Sequence, residues 1–154
     1  MNKENDFDLQ DFLPYLLNRA AEETSLDFQR RYKDRYGLLR TDWRVLFHLG
    51  RYGQMTASEI GEKARIHKTK ISRAVRNLQE RRYLKRTNDE MDRRFEHLEL
   101  TRAGQQVYAD LSEEAKKHDL RTTAGFSAAE VDILRRCLKQ LAGIAGEHGE
   151  NLKK

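Results

Sequence analysis

Residues 65–94 read RIHKTKISRAVRNLQERRYLKRTNDEMDRR. The run holds eleven Lys or Arg (Arg65, Lys68, Lys70, Arg73, Arg76, Arg81, Arg82, Lys85, Arg86, Arg93, Arg94) against four acids (Glu80, Asp89, Glu90, Asp92). Its net charge is +7, whereas the whole chain, with 30 basic and 25 acidic residues, is only +5. The other 124 residues therefore sum to −2. Positive charge gathered into one short segment is the footprint of a face that binds a polyanion. The segment runs in the order helix, strand, tight charged loop.

The helix is predicted over 68–81, entered through a turn at Ile66 and His67. At about 100° per residue, Ile71, Val75 and Leu78 fall within roughly 60° of one another. Thr69, Arg73 and Arg76 fall on the opposite side, flanked by Ser72 and Asn77. Glu80 shares that outer line two turns further on, so groove contacts should be confined to the first half of the helix. Two short strands are predicted over 83–87 and 95–100. Leu84, Leu98 and Leu100 share one face there, and a polar hairpin loop, 88–94, joins the strands.

Working back toward the N-terminus, Thr56-Ala57-Ser58-Glu59 is a capping box that opens a short helix with Ile60 and Ala64 inward. Before it, Trp43, Val45, Leu46, Phe47 and Leu49 form a helix apolar on nearly all sides, capped by Thr41 or Asp42 and ended by Gly50 and Gly53. It should lie at the centre of the fold. A long helix over 12–36 carries Leu13, Leu16, Leu17, Ala20, Ala21, Phe28 and Tyr32 on one stripe. Pro14 belongs to its first turn and Gly37 stops it. Residues 1–10 form a short arm or first turn.

On the C-terminal side, Thr101 caps a helix with Val107, Leu111 and Ala115 in register, running to about 121. Ser127-Ala128-Ala129-Glu130 is a second capping box. In the helix that follows, Val131, Leu134, Leu138 and Leu141 step by three, four and three, an a/d seam.

The helices over 41–81 followed by a hairpin make a winged helix-turn-helix. The fold class expected is mainly α with a small β wing: a winged core over 37–100, with helical regions over 1–36 and 101–154. Those terminal helices are amphipathic and lack an internal partner large enough to cover them. Pairing with the same helices of a second copy, through Leu13, Leu16, Leu17, Val131, Leu134, Leu138 and Leu141, gives a two-fold homodimer.

The pattern Leu78-x-Glu80-Arg81-x-Tyr83-Leu84-x-Arg86, then Asp92-Arg93-Arg94, then Leu98-x-Leu100-Thr101-x-x-Gly104 resembles that of MarR-type transcriptional regulators, over about 12–146. One departure is Arg82, where the family usually has a glycine closing the recognition helix. Arginine there implies a less favourable left-handed cap. The resemblance implies a homodimeric regulator of double-stranded DNA, most often a repressor, bound to a pseudo-palindromic site.

A major-groove helix reads sequence with donor pairs, and Arg to guanine is the commonest. Arg73 is the first candidate for that role, with Thr69 and Ser72 as shorter contacts and Arg76 reaching a base or a phosphate. Lys68 and Lys70 are candidate phosphate clamps. The resemblance further implies that the Asp-x-Arg pattern places an arginine in the minor groove. Asp92 can hold Arg94 across the turn, and a narrow negative groove attracts it. Arg93 can exchange roles with Arg94 or bind phosphate, and the Asp–Arg pair can equally serve as a hairpin staple. Family members often release DNA on binding a small molecule, commonly an aromatic acid. Tyr15, Arg19, Arg40, Trp43, Phe47 and His48 are candidates for such an effector pocket, with Arg19 or Arg40 for a carboxylate. Equally, Trp43 and Phe47 can be plain core and the arginines surface. The competing function is a winged-helix module for non-specific DNA architecture or protein contacts, without an effector.

The remaining chemistry narrows this further. A single cysteine, Cys137, excludes an internal disulfide and a Cys-based zinc site, and reads as core beside the a/d seam. His48, His67, His97, His118 and His148 are scattered without an i, i+4 pair, so no metal is expected. No nucleophile–base pair, phosphate-cradling Gly loop or paired carboxylates suggest an enzyme or a cofactor. No apolar run approaches the ~18 residues of a membrane span, and the acidic first 15 residues do not read as a signal peptide. The expected location is the cytoplasm of a bacterial or archaeal cell.

Overall fold

The computed structural model describes residues 6–144; residues 1–5 and 145–154, His148 among them, lie outside the described part. The described chain holds six α-helices and one small sheet. It divides into two compact units, one up to His118 and one from Asp119.

In the first unit a single 3-10 turn, Leu9–Asp11, leads into α1, Leu13–Tyr36. Pro14 sits in the first turn of α1, where a missing N–H leaves no bond unmade. Gly37 ends the helix in the left-handed conformation (φ 61°), donating to the carbonyls of Lys33 and Tyr32. Next comes α2, Arg40–Tyr52, whose Val45, Leu46 and Leu49 are buried at the core centre. Neither Thr41 nor Asp42 is its N-cap. Leu39 holds that position, and Asp42, one turn in, reaches back to accept the Leu39 N–H at 2.7 Å. Gly50 does not end α2 either. It lies inside the helix, where a Cβ would meet the Tyr108 ring at 2.5 Å, and Gly53 alone provides the stop.

The expected capping box is formed. Thr56 Oγ1 accepts from the Glu59 N–H and Glu59 accepts from the Thr56 N–H, opening α3, Ala57–Ala64. Arg44 of α2 donates to the Ala64 carbonyl at 2.8 Å, satisfying the end of α3, and Arg65 turns the chain with a positive φ of 50°. That turn delivers α4, Lys68–Glu80.

The sheet is three-stranded and antiparallel, order β1-β3-β2. Two of its strands, β2 (Leu84–Asn88) and β3 (Glu96–Leu100), are the expected hairpin, with Leu84 opposite Leu100 and Arg86 opposite Leu98. The third, β1 (Met55–Thr56), pairs Met55 with Leu98 and was not foreseen. Thr101 caps α5, Arg102–Thr122. Its hydroxyl accepts from the Gly104 N–H and donates to the Arg82 carbonyl at 2.7 Å. Arg82 is left-handed (φ 62°), as its replacement of glycine implies.

The core does not break at residues 36 or 100. Phe28 and Tyr32 of α1 and Val107 and Leu111 of α5 belong to the same buried cluster as Leu46, Ile71 and Leu98. Phe28, Tyr32, Trp43, Phe47 and Tyr108 extend it as a chain of edge-to-face and tilted rings at 5.1–5.7 Å. The apolar stripe of α1 is therefore split: its C-terminal half is core, while Leu13, Leu16 and Leu17 are exposed.

In the second unit the Ser127–Glu130 capping box opens α6, Ala128–Leu141. None of its residues is buried: Val131 is half-buried and Leu134, Leu138 and Leu141 are exposed. Cys137 is half-buried, so it is not core within this chain. The seam that should bury its neighbours is uncovered here.

Candidate nucleic-acid interface

One face of α4 is bolted to the protein and the other is left bare. Ile71, Ala74, Val75 and Leu78 are buried, whereas Lys68, Thr69, Lys70, Ser72, Arg73 and Arg76 are all exposed. Among the described residues no acid pairs with Lys68, Lys70, Arg73, Arg76 or Arg93, so their charge is not cancelled locally. The helix start is capped by His67, whose Nδ1 accepts the Thr69 N–H at 3.2 Å. Accepting there puts the ring proton on Nε2.

Two polar ties set the orientation of α4. On the core side, Asn77 donates to Asp42, and its own Oδ1 accepts from Arg81 Nε at 3.2 Å. Burial is the main influence on the Asp42 carboxyl and pushes it above the usual carboxylate range, against the two hydrogen bonds and Arg81. On the wing side, Arg86 donates from Nε to Gln79 Oε1 at 2.8 Å and from Nη1 to Glu96 at 3.1 Å. One guanidinium thus joins the helix to both strands of the wing.

The wing turn is stapled twice. Asp92 accepts three bonds from Arg94: the backbone N–H and Nε at 3.0 Å on Oδ1, and Nη2 at 2.9 Å on Oδ2. These hold the Asp92 carboxyl below the usual range, yet the Arg94 side chain stays 88% exposed. Asp89 accepts from the Met91 N–H at 2.9 Å and from His97 Nε2 at 3.1 Å, with His97 the main cause of its lowered pKa. Arg93 is exposed and unpaired beside them.

Asp42, His67, Arg86, Asp89 and His97 are missing from the site read in the sequence. His67 had a local signal, standing immediately before the basic helix; the others act across distant segments. The effector candidates fall into separate places. Tyr15 and Arg19 meet on α1, where Arg19 donates to the Tyr15 hydroxyl at 3.2 Å. Trp43 and Phe47 pack edge to face in the aromatic chain. Arg40 is exposed at the start of α2, and His48 Nδ1 lies 2.7 Å from the Arg44 carbonyl. Among the described residues no hydrogen bond, ion pair or ring contact joins the Tyr15–Arg19 pair to Trp43 and Phe47. Nor does any group of three or more His, Cys, Asp or Glu there have the arrangement to hold a metal ion.

A three-helix core that presents a bare cationic helix beside an arginine-tipped hairpin defines a winged helix-turn-helix protein. The sequence profile of the MarR family matches residues 36–94, from the end of α1 through the wing turn. An uncharacterised HTH-type transcriptional regulator of Bacillus subtilis (strain 168), YwaE, is 25% identical over 126 residues, 82% of this chain and 74% of that one. The crystal structure of a MarR/EmrR family transcriptional regulator from Acinetobacter sp. ADP1 superposes with a TM-score of 0.79 at 25% identity, covering 89% of this chain and 96% of that one. BpsR of Bordetella bronchiseptica, whose DNA binding is regulated by 6-hydroxynicotinic acid, shares the fold. Its TM-score is 0.80 at 20% identity, over 90% of this chain and 98% of its own. Residues 36–94 thus match the MarR family, and the chain as a whole is similar to transcriptional regulators of that family. Among the described residues no helix is long and apolar enough to cross a membrane.

Proposed function

We propose that the protein is a homodimeric repressor that reads a pseudo-palindromic operator and lets go of it when a small aromatic acid binds. The observation that carries the first half is the bare cationic face of α4 beside Arg94, a guanidinium held by Asp92 yet open to solvent. In this reading Arg73, Thr69 and Ser72 meet base edges, Lys68 and Lys70 meet phosphates, and Arg94 enters the minor groove with Arg93 beside it. The exposed Leu13, Leu16 and Leu17 of α1 and Leu134, Leu138 and Leu141 of α6, with half-buried Val131, supply the apolar surface for a second copy. Two-fold symmetry then spaces the two recognition helices about one turn, ~34 Å, apart.

The effector half draws on BpsR, which answers to 6-hydroxynicotinic acid. Arg19 and Arg40 are the cations offered to a carboxylate, and Tyr15, Trp43, Phe47 and His48 the surrounding surface. A ligand needs only a few kcal/mol of preference for a non-binding arrangement to empty the operator.

The test is footprinting upstream of the protein's own gene, salt-titrated binding to the protected and a random duplex, and sedimentation of the free protein. A dimer with a large specificity ratio, displaced by one of a panel of phenolic and pyridine acids, is the expected result. Equal affinity for both duplexes would favour the architectural alternative, and a monomeric mass would remove the dimer.

A further inference from the structure

Between α4 and the wing lies a cleft of about 280 Å³. Its floor is apolar, Val75 and Leu98, both buried. Ser72 and Arg76 form the helix wall, and Arg86 with Glu96 forms the wing wall. The two walls differ electrically. Arg86 is neutralised by Glu96 at 3.1 Å and further tied to Gln79, whereas Arg76 has no acid or hydrogen-bond partner among the described residues. The cleft therefore carries one uncompensated positive charge and one free hydroxyl, over a floor that offers nothing to a base edge.

We propose that this cleft is the seat of a single DNA phosphodiester, with Arg76 and Ser72 as its ligands and Arg86 as the strut that sets its width. The inference rests on the proposed docking, α4 in the major groove and Arg94 in the adjacent minor groove. In B-form duplex the ridge between those grooves is one sugar–phosphate strand, so whatever straddles both grooves must accept that strand in between. A phosphodiester is a monoanion with acceptor oxygens only, matching one guanidinium and one hydroxyl. The space is several times the ~30 Å³ share of a water molecule, enough for the group without opening the walls. Arg76 and Ser72 thereby leave the base-reading set, which contracts to Thr69 and Arg73. Arg86 is a positioning residue: it touches no DNA but fixes the separation of the two elements that do.

The experiment uses the full chain and a duplex recovered from random DNA by its own enrichment. A single methylphosphonate, which removes one backbone charge, is walked along both strands. Wild type should lose affinity on the order of tenfold at one linkage per half-site, the size of a charge-assisted hydrogen bond. Arg76→Ala should lose nothing further at that linkage, while Arg73→Ala should lose as much there as wild type does. The salt slope of Arg76→Ala should fall by about one on enriched and random duplex alike. Arg86→Ala should lower the slope by no more than Arg94→Ala does and make a further Arg94→Ala substitution nearly silent, because the wing is then no longer held in register; a merely structural Arg86 would leave the Arg94→Ala effect intact. Two results overturn the seat while sparing the regulator reading: Arg76→Ala altering preference at one base pair with its salt slope intact, or remaining sensitive at every linkage. Failure to enrich any duplex would take down the regulator reading and the seat with it.

Discussion

Asn77 of the recognition helix donates its side-chain amide to the carboxylate of Asp42, a residue of α2 only 2% exposed. The same carboxylate accepts the Leu39 N–H, so one buried acid ties the entry of α2 to the base of α4. Asn77→Ala would leave that carboxylate short of a partner, and we expect a loss of about 1–3 kcal/mol in urea unfolding. Asn77→Asp should cost more, because it sets two acids against each other in a buried site. The Asp42 pKa is raised, so its contribution is fullest below the ordinary carboxylate value and declines as pH rises through the raised one. Asp42→Asn should flatten that decline. An unchanged unfolding midpoint for Asn77→Ala would show that the tie is not structural.

Arg82 should be improvable. It holds a left-handed φ of 62°, a conformation costing a side-chain-bearing residue about 1–2 kcal/mol, part of which glycine returns as chain entropy. Arg82→Gly should therefore raise stability by up to about 1 kcal/mol in thermal unfolding. Destabilisation would mean that its guanidinium contributes more than its backbone costs.

The Tyr36 hydroxyl donates to Asp110 at 2.5 Å, linking α1 to α5, with Arg35 donating to the same oxygen at 2.9 Å. Burial first, and that bond second, push the phenol from 10.0 up to about 12. Its contribution is therefore complete below 10.0 and is lost as pH rises through about 12. Asp110 is shifted down, chiefly by Tyr36, so its share is present above the ordinary carboxylate value and lost as pH falls through the lowered one. Tyr36→Phe should cost about 1 kcal/mol near neutrality and reduce the dependence at both ends. Ultraviolet titration should show one late-titrating phenol fewer in the variant than in the wild type, where burial also pushes Tyr32 upward.

At the wing, Asp92→Ala should weaken operator binding in the same direction as Arg94→Ala but less, since Arg94 keeps its charge and loses only its support. Arg94→Ala should weaken all sequences, on the order of tenfold. Neither change should move the unfolding midpoint, because the Arg94 side chain is exposed and the staple is local. The staple should persist as pH falls through the ordinary carboxylate value, because the Asp92 pKa is lowered. A variant Asp92→Ala that binds like wild type would reduce the pair to a turn device.

Arg73→Ala should relax discrimination at one base pair by ~1–3 kcal/mol, read by competition among duplexes differing at that position. Equal losses on enriched and random DNA would remove Arg73 from sequence reading.

Much of the fold and of the candidate interface was legible because it depends on neighbours in the chain. The buried line Ile71–Val75–Leu78, the boxes at Thr56 and Ser127, the Asp92–Arg94 staple and the strained Arg82 are all set by spacings of two to seven residues. Other features had no such signal. Strand β1 is two residues that become a strand only because β3 lies alongside. Asp42 looked like a cap from its own segment, and its burial under Asn77 depends on a helix 35 residues away. Arg86 was one basic residue among eleven until the sheet brought Glu96 to one side of it and α4 brought Gln79 to the other.

The sequence by itself determined which elements form and where the positive charge gathers, since periodicity and capping are local physics. Tertiary structure decided which cations stay without an acid partner and which are consumed internally. It also decided where the α1 stripe stops being core. Both depend on which faces meet, and a chain read one residue after another contains that only implicitly.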